Sequence, residues 1–453
     1  MPYFLIHDFS AGLDLRKSQV TAPAGTLRRI RNAHVTPGGE IEKRKAFVQR
    51  ATVPDGCFGL AALGDTLYTF SNSVVSGNAE FKVMRLPTGT SYQLNKILDY
   101  DIFDGQLYVV ARDTNNNVQH FYNGVYVPEG KGTSIRTYRE KIHGVLDREL
   151  YFSAIGNPTD WTGTGSGFIN LSTQDAESET LVGLEVYYDT LAIMSRRTVQ
   201  IWNIDPDPLK YQQMQVLRSS GSRAALSIKQ FGNGDVLYLG DSGIRSLRAR
   251  DSSNAAAVSD IGSPIDRLYD ELRRTQTEEY LASATGLIEP LSGRFWMVFP
   301  DRILVLSLFP SPKVTAWSTY EPGFTIAAAA VVDNDIALLD TNGNLYRYGP
   351  DVYDDTEAEI LTPFMNADKP ASFKRFNAID LACEGTWKIY ARMNFQKPNA
   401  EDFLGSAKGS TFLDGKFAFD GESTHIALRA TTKSKEAAVL GSIAIHYDDA
   451  GSD

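Results

Sequence analysis

One short pattern recurs along this chain and limits what it can fold into. An Asp or Gly turn followed by alternating apolar residues appears as "LGDTLYTF" at 63, "FDGQLYVVAR" at 103, "LDRELYFSA" at 146, "YYDTLAIMS" at 187, "GNGDVLYLG" at 232, "LSGRFWMVF" at 291 and "VDNDIALLD" at 332. With Leu67, Leu107, Leu150, Leu191, Val236, Phe295 and Ile336 taken as equivalent, the spacings are 40, 43, 41, 45, 59 and 41 residues. Asp and Gly suit the turn because they bond locally or tolerate positive φ, and the alternation turns one strand face inward. In three copies the next apolar strand starts eight residues on, from Leu191 to Val199, Val236 to Ile244 and Phe295 to Ile303. Equal steps predict one hairpin reused in one register. A further apolar segment precedes most copies, such as "CFGLAAL", "ETLVGLEV" and "FTIAAAAVV". Three or four strands every ~40–45 residues cannot bury both faces alone, and a closed ring can. The fold class is therefore read as all-β, a β-propeller of about seven blades.

The 59-residue step holds "SPIDRLYDELRRTQTEEYLASA", Ser263 to Ala284. Ser263 is expected as an N-cap and Pro264 at the first helical position, with Ile265, Leu268 and Leu272 on one face. One helical insertion, residues 263–284, is predicted, as a partner-binding element or a cover over one mouth. The repeat stops after "YGPDVYDDTEAE" (Tyr348–Glu359), a boundary by composition. The remaining residues read as further strands in a β-sandwich-like module. The expected organisation is an N-terminal basic arm over 1–50, a propeller over 51–350 and a C-terminal β module over 351–453. Within it "LDRELYFSAIGNPTDW" (Leu146–Trp161) is architectural: Asn157-Pro158 is a turn, and Trp161 is expected between neighbouring blades.

Charge is unevenly spread. Residues 15–50 hold nine basic side chains against Glu40 and Glu42, whereas the whole chain carries −10. Asp8 and Asp14 add two negative charges before that stretch, so the other 403 residues carry −15. An acidic body argues against general nucleic-acid binding through it. The basic arm is the better candidate for docking on an acidic partner, with Arg28, Arg29, Arg31, Lys43, Arg44 and Lys45 as the candidate subunit-docking residues. Reversing charge at Arg28, Arg29 and Arg31 is expected to spare the monomer and impair assembly. Cys57 and Cys383 form no disulfide framework, and the six histidines show no metal-ligand spacing. "MPYFLIHDFS" lacks a basic n-region, and the apolar runs are too short to span a bilayer, so a protein made in a cytoplasm without a membrane anchor is expected.

Catalytic and metal readings find no support in spacing, and no cofactor is expected. "TGTGSGF" (Thr162–Phe168) places Thr164 and Phe168 where a nucleophile elbow needs glycines around Ser166. "DTNGN" (Asp340–Asn344) opens like a calcium loop, but Leu345 takes the place of the required Gly, and an Asn-Gly hairpin explains it more simply. Paired turn carboxylates, as in a glycan-acting propeller enzyme or lectin, remain the alternative reading.

The N-terminal pattern is Gly12-x-Asp14, Pro23-x-Gly25-x-Leu27, Arg31-Asn32-Ala33-x-Val35, Gly38-Gly39-x-Ile41-x-Lys43-Arg44 and Phe47. It resembles the first segment of tail nozzle (tail tubular protein B type) and packaged-DNA stabilisation proteins of short-tailed bacteriophages. "YFSAIGNPTDW" and "NGDVLYLGDSGIRSL" (Asn233–Leu247) look like blade segments of that group. "LRATTKSKEAAVLGSIAIHYDDAG" (Leu428–Gly451) is similar to its terminal β module. The resemblance implies a virion structural protein without catalytic chemistry, assembled in the host cytoplasm into the phage tail. It implies a homo-oligomeric ring, expected as a hexamer, below the portal and adaptor complex and in contact with tail fibres or a tail tip protein. Double-stranded DNA would pass through without sequence-specific binding.

Overall fold

Each copy of the repeat lies on a hairpin of its own small sheet. In the computed structural model, residues 2–172, 179–232, 234–249, 256–311, 313–413 and 415–449 are described; Asn233 and residues 450–453, at the ends of two of the resembling segments, lie outside them. Among the described residues there are seven such blades, six of them separate sheets and one part of a nine-stranded sheet, and the fold is a β-propeller. The first strands of blades 1 to 7 are Cys57–Leu63, Leu94–Phe103, Ser134–Tyr138, Leu181–Tyr187, Lys229–Phe231, Thr285–Ile288 and Ile326–Val332. Each touches the next, and Ile326–Val332 touches Cys57–Leu63, so the ring is closed. Blades 2 to 6 are built from consecutive antiparallel strands. Blade 7 takes its outer strand, Val48–Thr52, from the N-terminal side, paired with Asn344–Tyr348. Blade 1 has three strands, the last of which, Lys82–Arg85, runs parallel to Thr66–Ser71.

The expected common register holds. Leu191 faces Trp202, Val236 faces Leu247 and Phe295 faces Leu306, the same offset each time. Blade 3 departs from the repeat. Its second strand is Lys141–Leu146, and Leu150 lies on the third, so "LDREL" is one strand out of phase with the other copies. The reason is the first turn of blade 3, Arg139-Glu140. Both residues have positive φ, 47° and 60°, and neither is the Gly, Asn or Asp that marks such a turn in sequence.

Hydrophobic burial is distributed around the ring rather than gathered at its centre. One apolar cluster fills each crevice between blades, for example Leu107, Val109 and Phe121 with Ala61 and Phe70 between blades 1 and 2. Trp161 does pack between blades: it is buried against Tyr108 and His120 of blade 2, with ring centroids 6.4 and 6.0 Å away. Its indole N–H donates to Pro158 O at 3.0 Å. Gly156 N–H donates to Glu140 O at 2.8 Å, which puts this loop on the face of the first-to-second-strand turns.

The opposite face carries the second-to-third-strand turns, and two of these share a capping device. Asp113 Oδ1 accepts from the N–H of Asn115 and Asn117, and Asp340 Oδ1 from those of Asn342 and Asn344, at 2.7–2.9 Å. The second oxygen in each case accepts from the Asn117 or Asn344 amide. "DTNGN" is thus a hairpin whose carboxylate is committed to its own backbone. The helical insertion lies on this same face as α1 (Asp266–Thr275) and α2 (Glu278–Ala282). Ser263 opens a 3-10 turn, Ser263–Ile265, instead of capping α1. Buried Tyr269 and Leu272 fix α1 to the propeller, and Tyr269 Oη donates to Gly240 O at 2.9 Å.

The rest of the chain is a β-sandwich. One sheet runs in the order Ala33–Val35, Ile41–Lys43, Val439–Asp449, Lys374–Glu384, Phe417–Ser423, with Tyr3–Ile6 also on Val439–Asp449. The facing sheet is continuous with blade 6: beyond Val314–Tyr320 come Arg29–Arg31, Ala358–Leu361, Ala427–Thr432, Thr386–Arg392 and Asp402–Lys408. The crevice cluster between blades 5 and 6 continues into the sandwich interior, from Leu239 and Phe295 to Ile360, Ile389, Ile443 and Ile445. The first 50 residues therefore do not stand apart as an arm. They supply strands to both sandwich sheets and to blade 7.

Two buried histidines make this packing sensitive to acid. His120 bonds the Tyr108 hydroxyl at 3.2 Å and His143 that of Tyr211 at 3.0 Å. Burial pushes both down to about 3, so both stay neutral in the folded chain. The unfolded chain binds these protons below about pH 6.5. Stability is therefore full above that pH and falls as pH drops from about 6.5 toward 3. Urea midpoints at pH 7.5 and 5.0 should show the loss, and a His120→Gln, His143→Gln pair should flatten the slope while lowering stability at both values. An unchanged slope in that variant would assign the acid sensitivity elsewhere.

Candidate subunit-docking site

The candidate docking residues sit at the joint between propeller and sandwich. Chain entry to this joint depends on Gly12. Its φ is 55°, and a Cβ there would meet Ala316 Cβ and Cα at 2.7 and 2.8 Å. Only glycine lets residues 10–13 lie against the outer strand of blade 6, where Leu13 N–H donates to Trp317 O and Thr315 N–H to Ser10 O. Arg29–Arg31 then inserts between two sheets' worth of strands, parallel to Val314–Tyr320 and antiparallel to Ala358–Leu361.

Asn32 turns the chain at φ 53°, a conformation that Asn tolerates better than most residues. Its amide donates to Glu357 O at 2.9 Å, and its Oδ1 accepts from Glu321 N–H at 2.8 Å and Arg44 Nε at 3.1 Å. One buried side chain thus ties the N-terminal segment to blade 6 and to the acidic stretch after blade 7. The next hairpin, Ala33–Val35 with Ile41–Lys43, turns at Gly38-Gly39. Within it His34 Nε2 meets Glu42 at 3.2 Å and Nδ1 meets the Tyr320 hydroxyl at 2.7 Å. Burial lowers the His34 pKa and the neighbouring Arg294 lowers it further, so the ring is neutral. An ionised Glu42 only accepts, so Nε2 carries the proton and Nδ1 accepts from Tyr320.

The basic residues find acidic partners inside their own chain. Arg29 reaches Glu359 at 2.8 Å, and Arg31 reaches Glu359 at 2.9 Å, Glu357 at 3.3 Å and Glu321 at 3.4 Å. Lys43 is buried, and its ammonium donates to the carbonyls of Asp354 and Ser434. Buried Arg44 lies over the Phe47 ring at 4.5 Å and meets Asp354 at 3.4 Å. Lys45 donates to Gly349 O at 3.3 Å and lies 3.7 Å from Asp351. Arg28 donates to two carbonyls, Asp14 O and Lys17 O, at 2.9 Å each; burial lowers its pKa and nearby Arg267 adds to that. Of the six, only Arg29 is exposed, with about half of its side chain in solvent, while Lys43 and Arg44 are interior. From sequence, charge reversal at Arg28, Arg29 and Arg31 is expected to spare the monomer. The Glu359 pairs argue otherwise for Arg29 and Arg31: that carboxylate is buried and would lose its countercharges, so reversal there is expected to cost the monomer stability as well.

A second charged group spans the first strands of blades 2 to 4. Arg136 lies 3.0 Å from Asp99 and 3.0 Å from Glu185, and Asp99 also accepts from Ser134 Oγ and Ile135 N–H. Burial opposes the Arg136 charge, and Asp99, Glu185 and Asp101 more than offset that. This bracing links three blades near the axis. Ser166 Oγ donates to Gly163 O at 2.7 Å, within its own loop. Among the described residues no group of three His, Cys, Asp or Glu side chains is arranged to hold a metal, and no helix is long and apolar enough to cross a membrane.

No protein-family model matches the chain, and no curated protein matches it. Among solved structures it is similar to the WD40 domain of Pan2 from Neurospora crassa, 12% identical over 70% of this chain and 98% of that one, with a TM-score of 0.41. It is also similar to BamB from Moraxella catarrhalis, 11% identical over 67% and 100%, TM-score 0.38. A third likeness is to the N-terminal domain of Nup159, 10% identical over 68% and 95%, TM-score 0.35.

Sequence reasoning placed Asn32 in a motif and the carboxylates of 351–359 at a boundary, and gave neither a part in this joint. A signal was present: a basic run near the start of the chain and an acidic run of five carboxylates at 351–359. Asn32→Ala should cost about 2–4 kcal/mol, from three lost hydrogen bonds and a strained backbone. Asn32→Gly, which keeps the turn, should cost about 1 kcal/mol less. Urea denaturation of both variants checks this order, and an Ala variant as stable as the parent would remove Asn32 from the joint.

Proposed function

We propose that this chain is a structural subunit of the tail of a short-tailed bacteriophage. In this reading copies of it form the nozzle or hub ring that continues the DNA channel below the portal and adaptor. The ring helps retain packaged DNA and releases it at infection. The observation that carries the reading is where the resembling residues lie. Gly12, Arg31-Asn32-Ala33, Gly38-Gly39, Lys43-Arg44 and Phe47 together make the joint that locks propeller to sandwich. A motif that resembles one of tail nozzle proteins thus serves to hold two all-β bodies together, as the proposed ring subunit under load requires.

Charge supports the same reading. The chain carries −10 overall, and within its basic segment Arg29, Arg31, Arg44 and Lys45 pair internally with Glu321, Asp351, Asp354, Glu357 and Glu359. Carboxylates left at the surface repel DNA phosphates, so a duplex slides past without the counterion release that drives sticking. The role needs no catalytic residue and no cofactor. Its partners are further copies of the chain, the adaptor and portal above, and fibre or tip proteins below.

Light scattering and negative-stain images of the purified full chain test this. Ring-shaped particles with an open centre are the expected result. A monomer at every concentration that binds or hydrolyses a polysaccharide would replace this reading with the glycan-acting propeller.

A further inference from the structure

One face of blade 2 changes character toward its end. Tyr108 and Val110 of the second strand, Gln106–Asp113, pack with Ile135 and Ile142 of blade 3. Arg112 continues the same row, because side chains two apart on a strand share a face. Across the ladders it stands opposite Lys96 on the first strand and Val118 on the third, Val118–Tyr122. Like charges directly opposite each other destabilise a sheet, so this pair needs a reason.

Among the described residues nothing in the chain answers the two charges. Neither Lys96 nor Arg112 has an oppositely charged side chain within 4.0 Å or a side-chain hydrogen bond. Arg112 is partly buried, and its Nε is shut off from solvent without a partner. Burial lowers the Lys96 pKa and Arg112 lowers it further, with no carboxylate opposing them. The carboxylates on the same two strands are engaged elsewhere. Asp99 accepts from Ser134, Ile135 and Arg136, Asp101 from Thr137, and Asp113 from Thr90, Asn115 and Asn117. Exposed Glu129 and Lys131, on the loop into blade 3, offset each other in charge. A chain of net charge −10 has carboxylates to spare, yet none reaches this pair. A buried nitrogen without an acceptor marks the place of an ion or a water; beside a second cation, that ion is an anion.

We propose that Lys96 and Arg112 form a binding site for a phosphate group. A guanidinium offers its Nε and a terminal nitrogen as a parallel pair of donors, and the ammonium adds a point charge from the neighbouring strand. A carboxylate would be satisfied by the arginine alone. A phosphate carries more charge and more acceptor oxygens, and so matches two cations on two strands. The group is either a free phosphate ion or one phosphate of a nucleic-acid strand, and the acidic body favours the free ion. The site stands apart from the ring reading and does not depend on it.

Calorimetric titration of the full chain with inorganic phosphate, at an ionic strength held constant with chloride, tests it. Saturable binding of a single phosphate per chain is expected. Arg112→Met keeps the apolar stem and removes the donors, and Lys96→Gln removes the second charge from an exposed position. Each should weaken phosphate binding at least about tenfold. Relief of the repulsion gives a second signature. Without phosphate both variants should melt no lower than the parent, and added phosphate should raise the melting temperature of the parent alone. Phosphate that binds the parent no better than chloride, or binds either variant as tightly as the parent, would overturn the site. A short DNA duplex added to the phosphate-loaded parent separates the two sources: release of phosphate assigns the site to a nucleic-acid phosphate, and retention assigns it to the free ion.

Discussion

The three residues Arg29–Arg31 hold the molecule together because they complete two hydrogen-bond ladders at once. On one side they extend blade 6, and on the other they pair with Ala358–Leu361 of the sandwich. Such a strand is useful only if it cannot slide. Asn32 prevents that by bonding to Glu321 and Glu357, one on each body, while Arg31 brings its charge to Glu359 between them. The buried carboxylate gains most from this contact, since Glu359 is nearly solvent-free and only Arg31 and the half-exposed Arg29 offset its charge. Removal of this strand would split the nine-stranded sheet and expose the apolar interior that now runs unbroken from blades 5 and 6 into the sandwich.

Ring closure is tied to the same segment. The chain leaves the joint through Lys43, Arg44 and Phe47 and then lays Val48–Thr52 on the outside of blade 7. Phe47 fits among Trp296, Phe324 and Tyr348, the aromatic cluster between blades 6 and 7. A propeller closed by a strand from the other end of its sequence resists opening, because every crevice cluster loses a wall if one blade moves. Joint, closure and sandwich therefore form one cooperative unit, and a weakened joint is expected to loosen the ring as well.

The charge distribution has one meaning along the chain and another in space. Along the chain, the basic stretch looks like an arm reaching for an acidic partner. In space its partner is the acidic stretch after the last blade, more than 300 residues away in the case of Arg29 and Glu359. The acidic character that remains outside belongs to the body, as the proposed passage of DNA without binding requires.

The repeat period and alternation were enough to read a propeller of about seven blades, the helical insertion and a β-sandwich-like end. These features are local: a turn residue, a period of two, a step of eight residues. The same reading misplaced blade 3, because Arg139-Glu140 makes a tight turn without the residues that announce one. It also could not tell an arm from a joint. Lys43 and Arg44 look solvent-seeking in sequence, and only the fold brings them the carbonyls and the ring face that let them be buried. Which blade adopts the N-terminal strands, and which carboxylate neutralises which arginine, are decided by contacts between residues distant in the chain. The one-dimensional pattern carries strand and turn because neighbours determine those; it does not carry the pairing of charges that meet only after the ring has closed.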